Sequence, residues 1–106
     1  MSETQFLQAI DTTLARVQAA VDAAGLPVEC SQTALILTLE LDDGAKLILN
    51  AQTPMRQLWM ASRTGARHFA LQGDEWRDTR SGAEFFSELE RTLGELLGEP
   101  VQLAQR

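Results

Sequence analysis

Leu47–Ser62 reads LILNAQTPMRQLWMAS, and its alternation decides the fold. Leu47 and Leu49 share one side of an extended chain, and Ile48, Asn50 and Gln52 take the other. Pro54 has no amide hydrogen to give a ladder, so it breaks the strand. A second run, Met55–Ser62, then sets Leu58 and Met60 against Gln57, Trp59 and Ala61. Two neighbouring strands, each with one apolar side, predict a sheet covered on one face and open on the other.

Towards the N-terminus, Asp42, Asp43 and Gly44 supply a hairpin turn. Before it, Leu35, Leu37, Leu39 and Leu41 continue the apolar side, opposite Ile36, Thr38 and Glu40, in a period-two segment that begins at Val28. Gly25 and Pro27 end a helix expected over residues 4–24, whose apolar stripe is Phe6, Ile10, Leu14, Val17, Val21 and Ala24. Towards the C-terminus, Thr64 and Gly65 turn the chain, Phe69 and Leu71 mark a further strand, and Gly73 and Asp74 turn it again. A last short strand spans Glu75–Arg80. Ser81 and Glu84 have the spacing of a capping box ahead of a second amphipathic helix carrying Phe85, Leu89, Leu93, Leu96 and Leu97. Gly98 and Pro100 stop that helix, and Val101 and Leu103 are placed to cover an end of the core. The expectation is an α+β two-layer sandwich, an antiparallel meander of about five to six strands with both helices on one face.

The chain has 106 residues, enough for a single domain. No window is long and apolar enough for a membrane span, and the N-terminus reads as a helix start without the basic flank of a signal peptide, so the cytoplasm is the expected compartment. The one cysteine, Cys30, has no partner for an internal disulfide. The net charge of −6 is uneven: residues 1–43 carry seven carboxylates against Arg16, whereas residues 44–82 carry six basic side chains against three acidic ones. That polarity suits a cation or a basic protein at one end and makes nucleic acid a poor partner for the whole.

Trp59 stands on the open side with Gln57 and, across the neighbouring strand, Asn50. A large aromatic there is a natural interface anchor. It is equally a ring packed on its outer-face neighbours, or one turned inward at a bulge. Trp76, between charged residues, reads as structural. Asp11 and Asp22 lie along one flank of the first helix, with Glu3 at its start and Glu29 at the start of the first strand. Such open carboxylates bind hard cations weakly, and they are also what a helix N-terminus and a solvated flank require. Glu84, Glu88 and Glu95 flank Arg91 at ion-pair spacing. His68, the sole histidine, is expected to face outward and has no catalytic companion at a telling spacing. No phosphate loop, HExxH or CxxC is present, and nothing argues for an enzyme.

The segment Leu47–Ser62, together with FALQGDEW at 69–76 and DTRSGAEFF at 78–86, resembles the frataxin family and its bacterial branch. The order of elements agrees over nearly the whole chain. The resemblance implies an adaptor that binds iron weakly and regulates iron–sulfur cluster assembly by docking on a cysteine desulfurase and its scaffold protein; the short polar helix flanks fit a monomer. An iron storage or ferroxidase-like role is the alternative it carries. It implies partner contacts at Asn50, Gln57 and Trp59, and an iron-binding acidic ridge matched by Glu3, Asp11, Asp22 and Glu29. Where relatives crowd this ridge with carboxylates, the chain has Gln18, Ala19, Ala23, Ala24, Gly25, Leu26 and Pro27. Fewer carboxylates mean fewer ligands and a weaker local field, hence weaker or fewer iron sites and less self-repulsion.

Overall fold

The computed structural model describes residues 1–103. Helix α1 (Glu3–Ala23) leads into strands β1 (Val28–Thr33), β2 (Ile36–Leu41), β3 (Lys46–Gln52), β4 (Gln57–Ser62), β5 (Gly65–Gln72) and β6 (Glu75–Asp78), and helix α2 (Phe85–Leu97) closes the chain. The six strands form one antiparallel meander in chain order. Short hairpins suffice for every connection, so no crossover is needed.

Alternation sorts the side chains into two faces. Leu37, Leu39, Leu47, Leu49, Leu58 and Phe69 are fully buried and join one cluster with Phe6, Ile10, Leu14 and Val17 of α1 and Phe85, Leu89 and Leu93 of α2. Each such side chain contributes about 1.5–3 kcal/mol of transfer free energy, which is what holds both helices on this one face. Phe69 meets Phe85 edge-on at 5.2 Å, tying β5 to α2. Leu103 is buried, and its amide donates to Glu90 Oε2 at 2.7 Å, so the segment after α2 closes one end of the core as expected.

Local chemistry moved several boundaries. The leucine alternation between residues 28 and 41 hides a turn at Ala34 and Leu35, which splits the segment into β1 and β2 and gives the sixth strand. Ala34 takes a left-handed φ of 53° there without the glycine or asparagine that marks such turns. Helix α1 ends one residue early: Ala24 is its C-cap and is exposed, while Thr13 and Ala20 complete the buried stripe. Around Pro54, Thr53–Met55 forms a 3-10 turn and Arg56 is left-handed, so β4 starts only at Gln57. Strand β6 ends at Asp78, whose Oδ1 accepts the amides of Arg80 and Ser81 and folds the chain out of the ladder.

The expected capping box at Ser81 and Glu84 is not the cap of α2. Glu84 is itself the N-cap, its carboxylate accepting the amides of Phe86 and Ser87. Gly82 at φ 76° bends the chain, and Ser81 Oγ accepts from Ala83 instead. The reciprocal box occurs on α1, where Ser2 and Gln5 exchange bonds of 3.0 and 3.1 Å.

Candidate functional site

The open face is organised by register. Asn50 on β3 lies opposite Trp59 on β4, and Trp59 lies opposite His68 on β5. Ile36 on β2 extends the row beyond Asn50 and is 41% exposed. No helix covers these residues, since both helices take the leucine side. The Trp59 ring remains on the open face, half-buried, with the His68 imidazole stacked on it at a centroid distance of 4.1 Å and 9° between planes. Its indole N–H donates to Gln57 Oε1 at 2.8 Å. Gln57 pairs in turn with Gln52. Asn50, Gln57 and Trp59 thus form one patch, and Trp59 is packed on an outer-face neighbour within it.

His68 belongs to that patch although the sequence reading left it outside. The two-residue turn at Arg63 and Thr64 pairs Ser62 with Gly65, and Trp59 and His68 each lie three residues from that pair. Counting back from the hairpin would have placed them side by side.

The acidic flank is built differently. Glu3, Asp11 and Asp22 are exposed on α1. At about 1.5 Å per residue they are spread over roughly 28 Å of helix axis. Glu29 pairs with Glu40, on the face away from the helices, whereas Val28 and Cys30 alternate toward α1. Among the described residues, no three His, Cys, Asp or Glu side chains come together as a site for a metal ion. Asp22 shares a groove with Cys30, Gln18 and Leu26. Burial, and then the Asp22 carboxylate, push the Cys30 thiol above its usual range, which keeps it protonated and a poor ligand.

Two further carboxylates are held by basic neighbours. Arg67 on β5 reaches Glu88 on α2 at 2.9 Å and Asp78 at 3.9 Å, and Arg91 bonds both Glu88 and Glu95. The expected Arg91 pairing therefore holds for Glu88 and Glu95, whereas Glu84 serves as the helix cap. The Arg91 hydrogen bond outweighs burial and holds Glu88 below the usual carboxylate range. Burial pushes Asp78 up, but the Arg80 and Ser81 amides with the Arg67 and Arg80 charges prevail and hold it low. These groups fasten α2 to the sheet. Among the described residues, no helix is long and apolar enough to cross a membrane.

Comparison with known proteins meets the same architecture. The frataxin-like domain model matches residues 1–99. A protein named iron–sulfur cluster assembly protein CyaY from Paraburkholderia phymatum is 38% identical over 98% of this chain and 99% of its own length. The protein of the same name from Cupriavidus necator is 40% identical over 97% and 96%. Among solved structures, frataxin from Psychromonas ingrahamii superposes with a TM-score of 0.90 at 30% identity, covering 96% of this chain and 97% of that one. The trimeric yeast frataxin complexed with ferrous iron superposes at 0.68 with 22% identity, covering 93% and 88%, a likeness of fold alone. An open sheet face, a two-helix layer and sequence agreement from end to end converge, and the chain belongs to the frataxin family.

Proposed function

We propose that this protein is a non-enzymatic adaptor in iron–sulfur cluster assembly, working as a cytoplasmic monomer that docks on a cysteine desulfurase and its scaffold protein and binds iron weakly. The observation that carries the reading is the register of β3, β4 and β5, which gathers Asn50, Gln57 and Trp59 into one helix-free patch. An aromatic already immobilised by a stack and a hydrogen bond loses little further freedom on docking, which suits it to be an anchor. The curated relatives named for cluster assembly support the pathway.

Iron, as cargo, is assigned to Glu3, Asp11, Asp22 and Glu29. Their separation supports weak binding by single carboxylates, with water completing the shell, rather than a preformed cage. The same separation speaks against iron storage or oxidation, which needs several ligands close together.

Pull-down with a purified desulfurase–scaffold complex, and its desulfurase rate with and without the protein, test the adaptor. Trp59→Ala is expected to weaken binding about tenfold or more, as removal of an interface anchor does. Asp11→Asn/Asp22→Asn should leave the sheet-face contact in place and lower Fe²⁺ uptake. Absence of wild-type binding would overturn the reading, and protein-dependent Fe²⁺ oxidation above the buffer rate would restore the storage role.

A further inference from the structure

The centre of the open face is uncharged except where it can be charged by a proton. Around Trp59, the facing positions on β2 to β5 are Ile36, Asn50, Ile48, Ala61 and Ala70, and the formal charges stand at the rim: Glu40 opposite Lys46 at one side and, on the edge strand β6, Arg77 opposite Ala70 and paired with Glu75. His68 is the one titratable group inside this region, and its ring lies flat on Trp59. Imidazole is the side chain whose ordinary titration falls between pH 5 and 8. From β4, the groups on its face carry no charge. Just after β6, Thr79 donates its amide to the His68 carbonyl, and Arg77 of β6 shares the same face. Beside the ring, Arg67, Asp78 and Arg80 border a groove, Arg67 being held by Glu88. Among the described residues, none makes an ion pair or hydrogen bond with the imidazole, whose side-chain contact is the stack on Trp59.

We propose that His68 is a proton-operated switch on this docking face. The proposal rests on the docking reading of the face. With neutral imidazole, the patch presents an uncharged centre of the kind that interfaces bury. An imidazolium puts a full charge in that centre, which a partner must desolvate, and binds the indole more firmly through its cation–π attraction. Docking therefore weakens as His68 takes up a proton.

Because the chain has two tryptophans, Trp76→Phe leaves Trp59 as the sole emitter. An imidazolium in contact quenches indole, so emission is expected to fall along a one-proton curve between pH 8.5 and 5, and Trp76→Phe/His68→Gln should stay flat. If Trp76→Phe does not fold, the ring proton of the sole histidine and the Trp59 indole N–H, followed by NMR in the wild type, should titrate together. Affinity for the desulfurase–scaffold complex should drop about tenfold from pH 8 to 5.5 in the wild type beyond any drop in His68→Gln, whose loss reports titration of the partner. A flat titration of Trp59, or equal pH dependence of binding in both proteins, overturns the switch. Failure to bind at every pH, with the Trp59 titration intact, overturns the docking reading and the switch with it.

Discussion

Trp76 and Trp59 occupy one sheet, and each gives its indole N–H to a side-chain oxygen at 2.8 Å, yet the two rings have opposite situations. Trp76 is 4% exposed; its hydrogen bond crosses from β6 to Thr13 on α1, and its ring meets Phe6 edge-on at 6.1 Å. Trp59 bonds two residues away along its own strand and stacks on the adjacent strand, with no helix above it. The first ring joins the layers, whereas the second decorates one. A tryptophan's role here is set by what the far side of its strand is packed against, not by its own satisfied chemistry.

The largest test of that contrast truncates each ring. Trp76→Ala empties a buried site and should cost about 3–5 kcal/mol, read as a large fall in the denaturant midpoint. Trp59→Ala should cost about 1 kcal/mol, the scale of the stack it removes, while leaving the secondary structure intact. Similar losses from the two would show that the open face carries part of the fold's stability and would weaken its assignment to docking.

A finer test removes only the acceptors. Thr13→Val leaves a buried indole N–H unpaired and should cost about 1–3 kcal/mol. Gln57→Ala removes an acceptor from a part-buried bond on the open face, with a cost below about 0.5 kcal/mol. Thermal melts of the two variants check the difference.

Stronger acid, below the range in which the open face is proposed to respond, should loosen the covered face. Asp78 and Glu88 are both held below the ordinary carboxylate range: against its burial, Asp78 is held low by the Arg80 and Ser81 amides and the Arg67 and Arg80 charges, and Glu88 is held low chiefly by its Arg91 hydrogen bond, with Arg67 on β5 reaching both across to α2. A depressed folded-state pKa gives stability that is complete above the unfolded value, about 4, and is lost as pH falls through the folded one. Melting temperature should therefore decline below pH 4, and Glu88→Gln should have a shallower decline. An acid limb unchanged in Glu88→Gln would remove this carboxylate from the fastening of α2.

The fold was legible because leucines at every second position leave only one way to face a core, and Phe6, Ile10 and Leu14 at helical spacing supply the layer above. Trp59, Gln57 and Asn50 were legible as one patch for the same reason: their place follows from period two and hairpin pairing. What stayed hidden was set by backbone conformations that composition does not announce. Gly82 displaced the cap of α2 from Ser81 to Glu84, and a left-handed alanine made a hairpin where uninterrupted leucine alternation reads as one strand. The acidic flank was legible only as charges along a helix. Whether carboxylates meet depends on which side of β1 each one takes, and Glu29 takes the side opposite to α1.

That alanine provides the smallest test, on the strand that belongs fully to neither face. In β1, Val28 and Cys30 are only partly buried and the remaining positions are exposed, so its attachment depends on the ladder to β2 and on the turn joining them. Ala34 holds φ 53°, a conformation that costs an L residue about 1–2 kcal/mol. Ala34→Gly relieves that cost but gives the unfolded chain more freedom, worth about 0.4–1 kcal/mol. The net should be a gain of about 0.5 kcal/mol, seen as slower amide exchange in β1 and a slightly higher denaturant midpoint. If the variant is instead less stable, the alanine turn is not strained, and the edge of the sheet owes its hold to the Gln18–Gln32 bond across to α1.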